Sequence, residues 1–414
     1  MRFTTRIALW VFLSVPASLL SPVFGGERFT GPWDVPAIQR ANPNPTWGAA
    51  VGLVREVVYE GEPFDGRPTR VFAYYARPAT GNGPFPAMVL VHGGGGRAFK
   101  QWATLWAERG YVALAMDLAG RGPDGKRLAD GGPDQDDDTK FRDFFSPLEV
   151  RRMWTYHAVA AVIRGHTLLA RRPEVDPQRI GVTGISWGGY LTCIVAGLDD
   201  RVRVAVPVYG CGFLHEDSYW KPSRFDAVTS ERRDRWVNQF DPSRYLPGVT
   251  CPILFVNGTN DFAYPLDSYR KSYSAVPGFL DLAGSSRLCV TLRMPHGHEA
   301  GWEPKEIGLF VDQILKKEGR PFPKLGTPEV HASQVVAKVE SAEPLARAEL
   351  LYAVDTGPWP TRDWKTAPAR IVGHTVEAEL PSPRPLVYFF NVVDARQVVV
   401  SSPHQEIPTS SPTR

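Results

Sequence analysis

The segment Arg179-Ile180-Gly181-Val182-Thr183-Gly184-Ile185-Ser186-Trp187-Gly188-Gly189-Tyr190 decides the fold. Its β-branched opening reads as a strand, and the residues from 188 to 196 suit a helix. A strand that passes straight into a helix through G-x-S-x-G holds its serine in a strained, projecting conformation. The positions two before and two after the serine must then be small, and Gly184 and Gly188 occupy them. The bare pattern arises by chance, and its plain alternative is an ordinary loop serine. The strand before it and the helix after it favour the projecting one. A hydroxyl becomes a nucleophile only when it is exposed, positioned and deprotonated by a neighbouring base. The turn answers the first two needs for Ser186.

Working outward, residues 87–91 form a continuous apolar run, as in a strand buried on both faces. Before it, 54–58 and 70–76 alternate as strands, with a turn at Asp65-Gly66. After it, the spacing predicts a helix over 99–109, a strand over 112–116 and one long helix over 148–171. Further strands are expected at 179–185, 202–208, 253–256 and 288–292, and a last amphipathic helix at 305–317. Strands alternating with helices imply an α/β class, a mostly parallel sheet covered by helices on both faces, within a domain over 51–320. Residues 26–50, rich in Pro, Asn and Trp, read as an irregular lead-in.

Two insertions, 119–147 and 215–244, follow strand C-termini, where sites form in open parallel sheets, so both are expected to wall a pocket. The first carries Asp134, Asp136, Asp137 and Asp138, a potential cation cluster whose simpler reading is a solvated loop. After Pro321-Phe322-Pro323 the helical pattern stops. Short strand-like runs then suggest a small C-terminal β-sandwich over 325–400. The Ser- and Pro-rich residues 401–414 read as a mobile tail.

The second chemical signal is Val91-His92-Gly93-Gly94-Gly95-Gly96 at a strand end. Attack on an acyl carbonyl builds negative charge on its oxygen, which preset backbone N–H donors stabilise by several kcal/mol. Glycines let backbone approach a substrate unobstructed. The Trp187 amide is one expected donor, and Gly94 or Gly95 supplies the other. A phosphate-binding loop is the competing reading, but Lys100 stands outside the G-K-[ST] context it needs.

The acid and base should follow the serine in chain order. Asp261, in Gly258-Thr259-Asn260-Asp261-Phe262, lies just past a strand. Its alternative is a turn-capping role, and Asp267 is a weaker substitute inside the next helix. Leu292-Arg293-Met294-Pro295-His296-Gly297-His298 ends the last strand of the series. His298 is the favoured base, on a loop tip able to swing back over Ser186. His296 is the alternative, and the histidine not used as base should orient the loop or contact substrate. His92 is expected to make a structural hydrogen bond. No histidine spacing resembles a zinc site, so a metal-free, cofactor-free mechanism is expected.

With these motifs in order, the chain resembles the α/β-hydrolase superfamily from about Val51 to Lys317. Val175-Asp176-Pro177-Gln178-Arg179-Ile180-Gly181 leading into the elbow is similar to bacterial acetyl xylan esterases, dienelactone hydrolase-like proteins and the catalytic domain of prolyl oligopeptidases. The residues from Gly258 to Pro265 resemble their acid loop. The resemblance implies Ser186, Asp261 and His298 as triad, with Trp187 and Gly94 as oxyanion donors. The C-terminal section is loosely similar to that of PhoPQ-activated pathogenicity-related proteins. Some features depart from these groups. A dienelactone hydrolase carries a nucleophilic Cys where this chain has Ser186. The 25 or so residues after the export signal do not supply the propeller of a prolyl oligopeptidase. His92-Gly93-Gly94-Gly95 resembles hormone-sensitive-lipase-like esterases, while the remaining pattern does not.

The implied activity is hydrolysis of small-molecule or polysaccharide esters, with acetyl xylan as the natural substrate class. A prolyl-oligopeptidase-like peptidase is one alternative. A glycan-binding protein, with Trp359 or Trp364 stacked on sugar, is another, although a small sandwich commonly centres on a Trp.

Composition bounds these readings. Of 414 residues, 43% are hydrophobic and 22% charged, enough for a sizeable core. The net charge is +3, and losing Arg2 and Arg6 with a leader leaves 45 basic against 44 acidic groups, which argues against nucleic-acid binding. Arg2 and Arg6 followed by an apolar run to Leu20 and small residues near Gly25 read as a cleaved signal over 1–25. Secretion or periplasmic export is therefore expected, with no membrane association after cleavage, since about 14 apolar residues are short of a bilayer span. Cys193, Cys211, Cys251 and Cys289 are too few for a disulfide framework.

Overall fold

The computed structural model describes residues 28–408, so the expected export signal lies outside the described residues. The main sheet is built from β1 (Thr46–Val51), β2 (Val54–Glu60), β3 (Arg70–Ala76), β4 (Phe85–Val91), β5 (Val112–Met116), β6 (Val175–Ile185), β7 (Ala205–Val208), β8 (Leu254–Gly258) and β9 (Arg287–Thr291). Its order is β1-β2-β3-β5-β4-β6-β7-β8-β9. The first three strands and β5 pair antiparallel, and every pair from β5–β4 to β8–β9 is parallel. The parallel strands are buried almost throughout, which explains their continuous apolar sequences: residues facing helices on both sides have no polar face to alternate with.

Three expectations need correction. The lead-in is not irregular throughout. It holds a helix, Val35–Arg40, capped by Asp34, and the edge strand β1, which pairs with β2. The helix expected over 148–171 is two helices, Pro147–Val150 and Trp154–Ala170. Ser146 Oγ accepts the Glu149 amide, and the Glu149 carboxylate accepts the Phe145 amide, which together start the first. Met153 then takes an extended conformation, and the turn lets Trp154 enter the core with its indole N–H on the Leu118 carbonyl at 2.6 Å. The expected mobile tail is ordered to residue 408. Gln405–Ile407 pairs with a long strand of the second sheet, and residues 401–404 are buried.

That second sheet is antiparallel and curls into a sandwich-like unit. It comprises β10 (Lys324–Leu325), β11 (Glu329–His331), β12 (Gln334–Glu340), β13 (Leu345–Ala353), β14 (Lys365–Val372), β15 (Thr375–Glu379), β16 (Leu386–Asp394), β17 (Val399–Ser401) and β18 (Gln405–Ile407). It grips the main sheet at β9. The Val290 amide donates to Ser401 Oγ at 2.8 Å, Ser401 Oγ donates to Asn391 Oδ1 at 2.6 Å, and Asn391 Nδ2 donates to the Val290 carbonyl at 3.0 Å. All three groups are buried, so each depends on the others for satisfaction.

Trp359 and Trp364 are buried and stacked 6.4 Å apart, and the Arg362 guanidinium covers Trp359. Neither ring is free to stack on sugar. Among the described residues, no helix is long and apolar enough to cross a membrane.

Replacing Asn391 with Ala removes the Nδ2 donor of the Val290 carbonyl and the Oδ1 acceptor of Ser401 in a buried contact, leaving only the 3.5 Å approach of Ser401 Oγ to that carbonyl. The expected loss is about 2 kcal/mol or more, read as a lowered urea midpoint at unchanged far-UV circular dichroism.

Candidate active site

The loops after β4, β6, β7, β8 and β9 all leave the C-terminal edge of the parallel strands, and the predicted site residues lie on them. Ser186 sits between β6 and the helix Trp187–Leu198 at φ 58°, ψ −119°, a conformation that costs a non-glycine residue about 1–3 kcal/mol. It is held there by backbone bonds, Ser186 N–H to the Val208 carbonyl and Tyr190 N–H to the Ser186 carbonyl, each 2.9 Å. Its side chain caps nothing, although it occupies the N-cap position. The flanking glycines are required by contact. A Cβ on Gly184 would collide with the Gly188 carbonyl, and one on Gly188 with the carbonyl of Val91 at the end of β4.

The glycine loop lies beside the serine. A Cβ on Gly93 would fall 2.9 Å from that of Ser186, and one on Gly94 would fall 3.0 Å from the Trp187 indole. Gly95 instead forms the open corner of a turn closed by the Gly96 N–H on the Gly93 carbonyl. Of the two expected loop donors, Gly94 is the one placed against the elbow. His92 makes the structural bonds expected of it. Its Nε2 accepts from the Leu118 amide at 2.8 Å, so Nδ1 carries the proton given to the Gly93 carbonyl at 2.7 Å.

The candidate acid Asp261 pairs with His296, the alternative candidate base, and not with His298. Asp261 Oδ2 accepts from His296 Nδ1 at 2.6 Å, while Oδ1 takes the amides of Ala263 and Tyr264 at 2.9 and 2.7 Å. His298 is not the Asp261 partner. Its Nε2 accepts from the Gly93 amide at 3.0 Å, so the lone pair a base would use is engaged. No hydrogen bond joins Ser186 Oγ to either imidazole among the described residues. Asp267 does not substitute for Asp261, because it is ion-paired with Lys271 at 2.8 Å.

Two aromatic residues that the sequence reading missed hold His296. Tyr209, at φ 63° just after β7, stacks on the imidazole at 4.4 Å and donates its hydroxyl to the Pro295 carbonyl at 2.6 Å. The half-exposed Phe262 lies on it at 4.8 Å. The only signal for Tyr209 was its place at a strand C-terminus.

Both insertions wall the site through Trp187, whose ring meets Trp220 at 4.5 Å and Phe141 at 5.8 Å. Lys140 lies over the same ring at 4.9 Å, and burial lowers its pKa. Three aspartates of the first insertion are engaged within the protein. Asp134 pairs with Arg121, Asp136 caps a short helix and Asp137 pairs with Arg224 and Lys140. All four cysteines are free thiols.

The acetyl xylan esterase (AXE1) family model matches residues 54–216. An acetyl xylan esterase from Paenibacillus sp. R4 superposes at TM-score 0.52 with 21% identity, covering 68% of this chain and 92% of that one. The chain has the α/β-hydrolase fold. Among sequence relatives, the chain is 25% identical over 251 residues to "Uncharacterized peptidase YuxL" of Bacillus subtilis, covering 55% of this chain and 33% of the relative. It is 22% identical over 216 residues to acetyl esterase Axe7A of Xylanibacter ruminicola, covering 47% and 46%. The matched segment thus spans less than half the length of either relative.

Burial depresses the pKa of His92, His157 and His166 to about 4 from 6.5. A base with a depressed folded-state pKa takes up its proton first in the unfolded chain. Stability is therefore complete above pH 6.5 and falls as pH drops toward 4, by several kcal/mol in sum. Asp117, raised to about 6 by burial, works weakly the other way. Urea midpoints between pH 7 and 4.5 should fall steeply, and a flat profile would contradict neutral buried imidazoles.

Proposed function

We propose that the hydrolase is a serine carboxylesterase that forms an acyl-enzyme on Ser186, with His296 as base and Asp261 as the acid that orients it. The observation that carries this reading is the 2.6 Å Asp261–His296 pair, set among the loops that also carry the strained Ser186 elbow. Because the carboxylate accepts from Nδ1, the proton resides there and Nε2 keeps its lone pair, the state a general base needs. His296 takes the Ser186 proton as Oγ attacks the acyl carbon, and Asp261 stabilises the resulting imidazolium. The amides of Trp187 and Gly94 receive the oxyanion. The protonated imidazole then returns its proton to the leaving alcohol, and water activated by the same base releases the acid.

The acyl group we propose is acetyl, on a small molecule or a polysaccharide such as xylan. The matching family and the relative named an acetyl esterase support this choice. We also propose export through the leader at 1–25, with the second sheet acting as part of the scaffold. The glycan-binding alternative loses its basis with Trp359 and Trp364 buried. A peptidase remains the second reading, favoured by the relative named as one.

Hydrolysis of p-nitrophenyl acetate, acetylated xylan and aminoacyl-p-nitroanilides by wild type, Ser186→Ala and His296→Ala separates these readings. Ester cleavage should fall about 10⁴-fold or more in both variants. Cleavage of the anilides alone would establish the peptidase, and wild type inert on all three would remove Ser186 as nucleophile.

A further inference from the structure

Gly93 is bonded at both ends by imidazoles from different parts of the chain. Its amide donates to His298 Nε2 at 3.0 Å, and its carbonyl accepts from His92 Nδ1 at 2.7 Å and from the Gly96 amide at 3.1 Å. Gly93 itself is buried against the Ile185 carbonyl and Ser186, where a Cβ would fall 2.6 and 2.9 Å from their atoms. A trans peptide places the carbonyl of one residue and the N–H of the next on opposite sides. Fixing the Gly93 carbonyl toward His92 therefore turns the Gly94 N–H the other way. Gly94 is the residue that lies against Trp187.

We propose that His298 is a positioning residue, whose Nε2 lone pair anchors the Gly93 amide and, together with His92 on the Gly93 carbonyl, presets the Gly94 amide for the oxyanion. This goes beyond a triad assignment. The loop that carries the base also carries, two residues later, the latch of the oxyanion loop. Only a neutral imidazole can serve, because a protonated Nε2 would face an N–H. Burial holds both rings neutral, at pKa values of about 4, and His92 and His296 are the titratable groups that face His298. The His298 ring is seated on Phe99 at 4.7 Å, and Gly96 must lack a side chain because a Cβ there would fall 2.6 Å from Nε2.

The kinetic test rests on the esterase reading, so it is paired with a structural one. His298→Leu removes the acceptor and should lower kcat on p-nitrophenyl acetate about 100-fold with KM changed less than about twofold, as for a donor lost only in the transition state. His298→Gln, whose Oε1 can accept the same N–H, should recover to within about tenfold of wild type. A fully active Leu variant, or a Gln variant as poor as Leu, would overturn the proposal. Independently of activity, NMR of the full chain labelled with ¹⁵N-histidine and ¹⁵N-glycine near neutral pH should show His298 Nδ1 protonated and Nε2 bare, with the Gly93 amide resonance shifted in His298→Leu. A protonated Nε2 would sink the latch even in an active enzyme. Because this reading needs no substrate, the latch and the esterase proposal fail separately.

Discussion

The absence of side chains at Gly184 and Gly188 lets the ends of β4 and β6 meet, and the site depends on that meeting. Gly188 lies so close to the Val91 carbonyl that a single methyl would force β4 and the Ser186 helix apart. Packed this way, the glycine loop after β4 and the elbow after β6 bring Gly94 against the Trp187 indole. The strain at Ser186 is held by parallel-sheet neighbours, since the Val208 carbonyl of β7 takes its amide. The local cost of the conformation is offset by a sheet buried on both faces.

Support for the Asp261–His296 pair comes from farther along the chain. Asn260, next to Asp261, donates to the carbonyls of Pro360 and Arg362 at 3.0 and 2.9 Å. Arg293, three residues before His296, reaches Asp363 and the Trp364 carbonyl. Together with the Asn391–Ser401–Val290 network, these contacts fix the loops after β8 and β9 against the second sheet. The C-terminal sheet is thus a wall behind the Asp261–His296 pair, which makes its burial of Trp359 and Trp364 a structural matter.

The elements that the sequence made legible are those with a strong local signal. The buried parallel strands announced themselves as apolar runs, and Ser186 was set by small residues at fixed offsets within a strand–turn–helix. The misread elements were those fixed from outside. Edge strand β1 carries a weak pattern because it is mostly exposed, and its register comes from β2. The break before Trp154 reflects a hydrogen-bond partner 36 residues earlier in the chain. Tail residues rich in Ser and Pro became ordered because β16 offered them a free edge.

By itself, the sequence determined the fold class, the nucleophile candidate, the acid candidate and the two loops that deliver histidine and glycine to the site. It did not separate His296 from His298. The two share one loop, differ by a single glycine and have the same side chain, so no local preference distinguishes them. Tertiary structure gives the two rings different partners. Asp261 and the Tyr209 ring capture the first imidazole, and the Gly93 amide occupies the lone pair of the second. A histidine's role follows from the partner of each ring nitrogen, and those partners lie about 35 and 205 residues away along the chain.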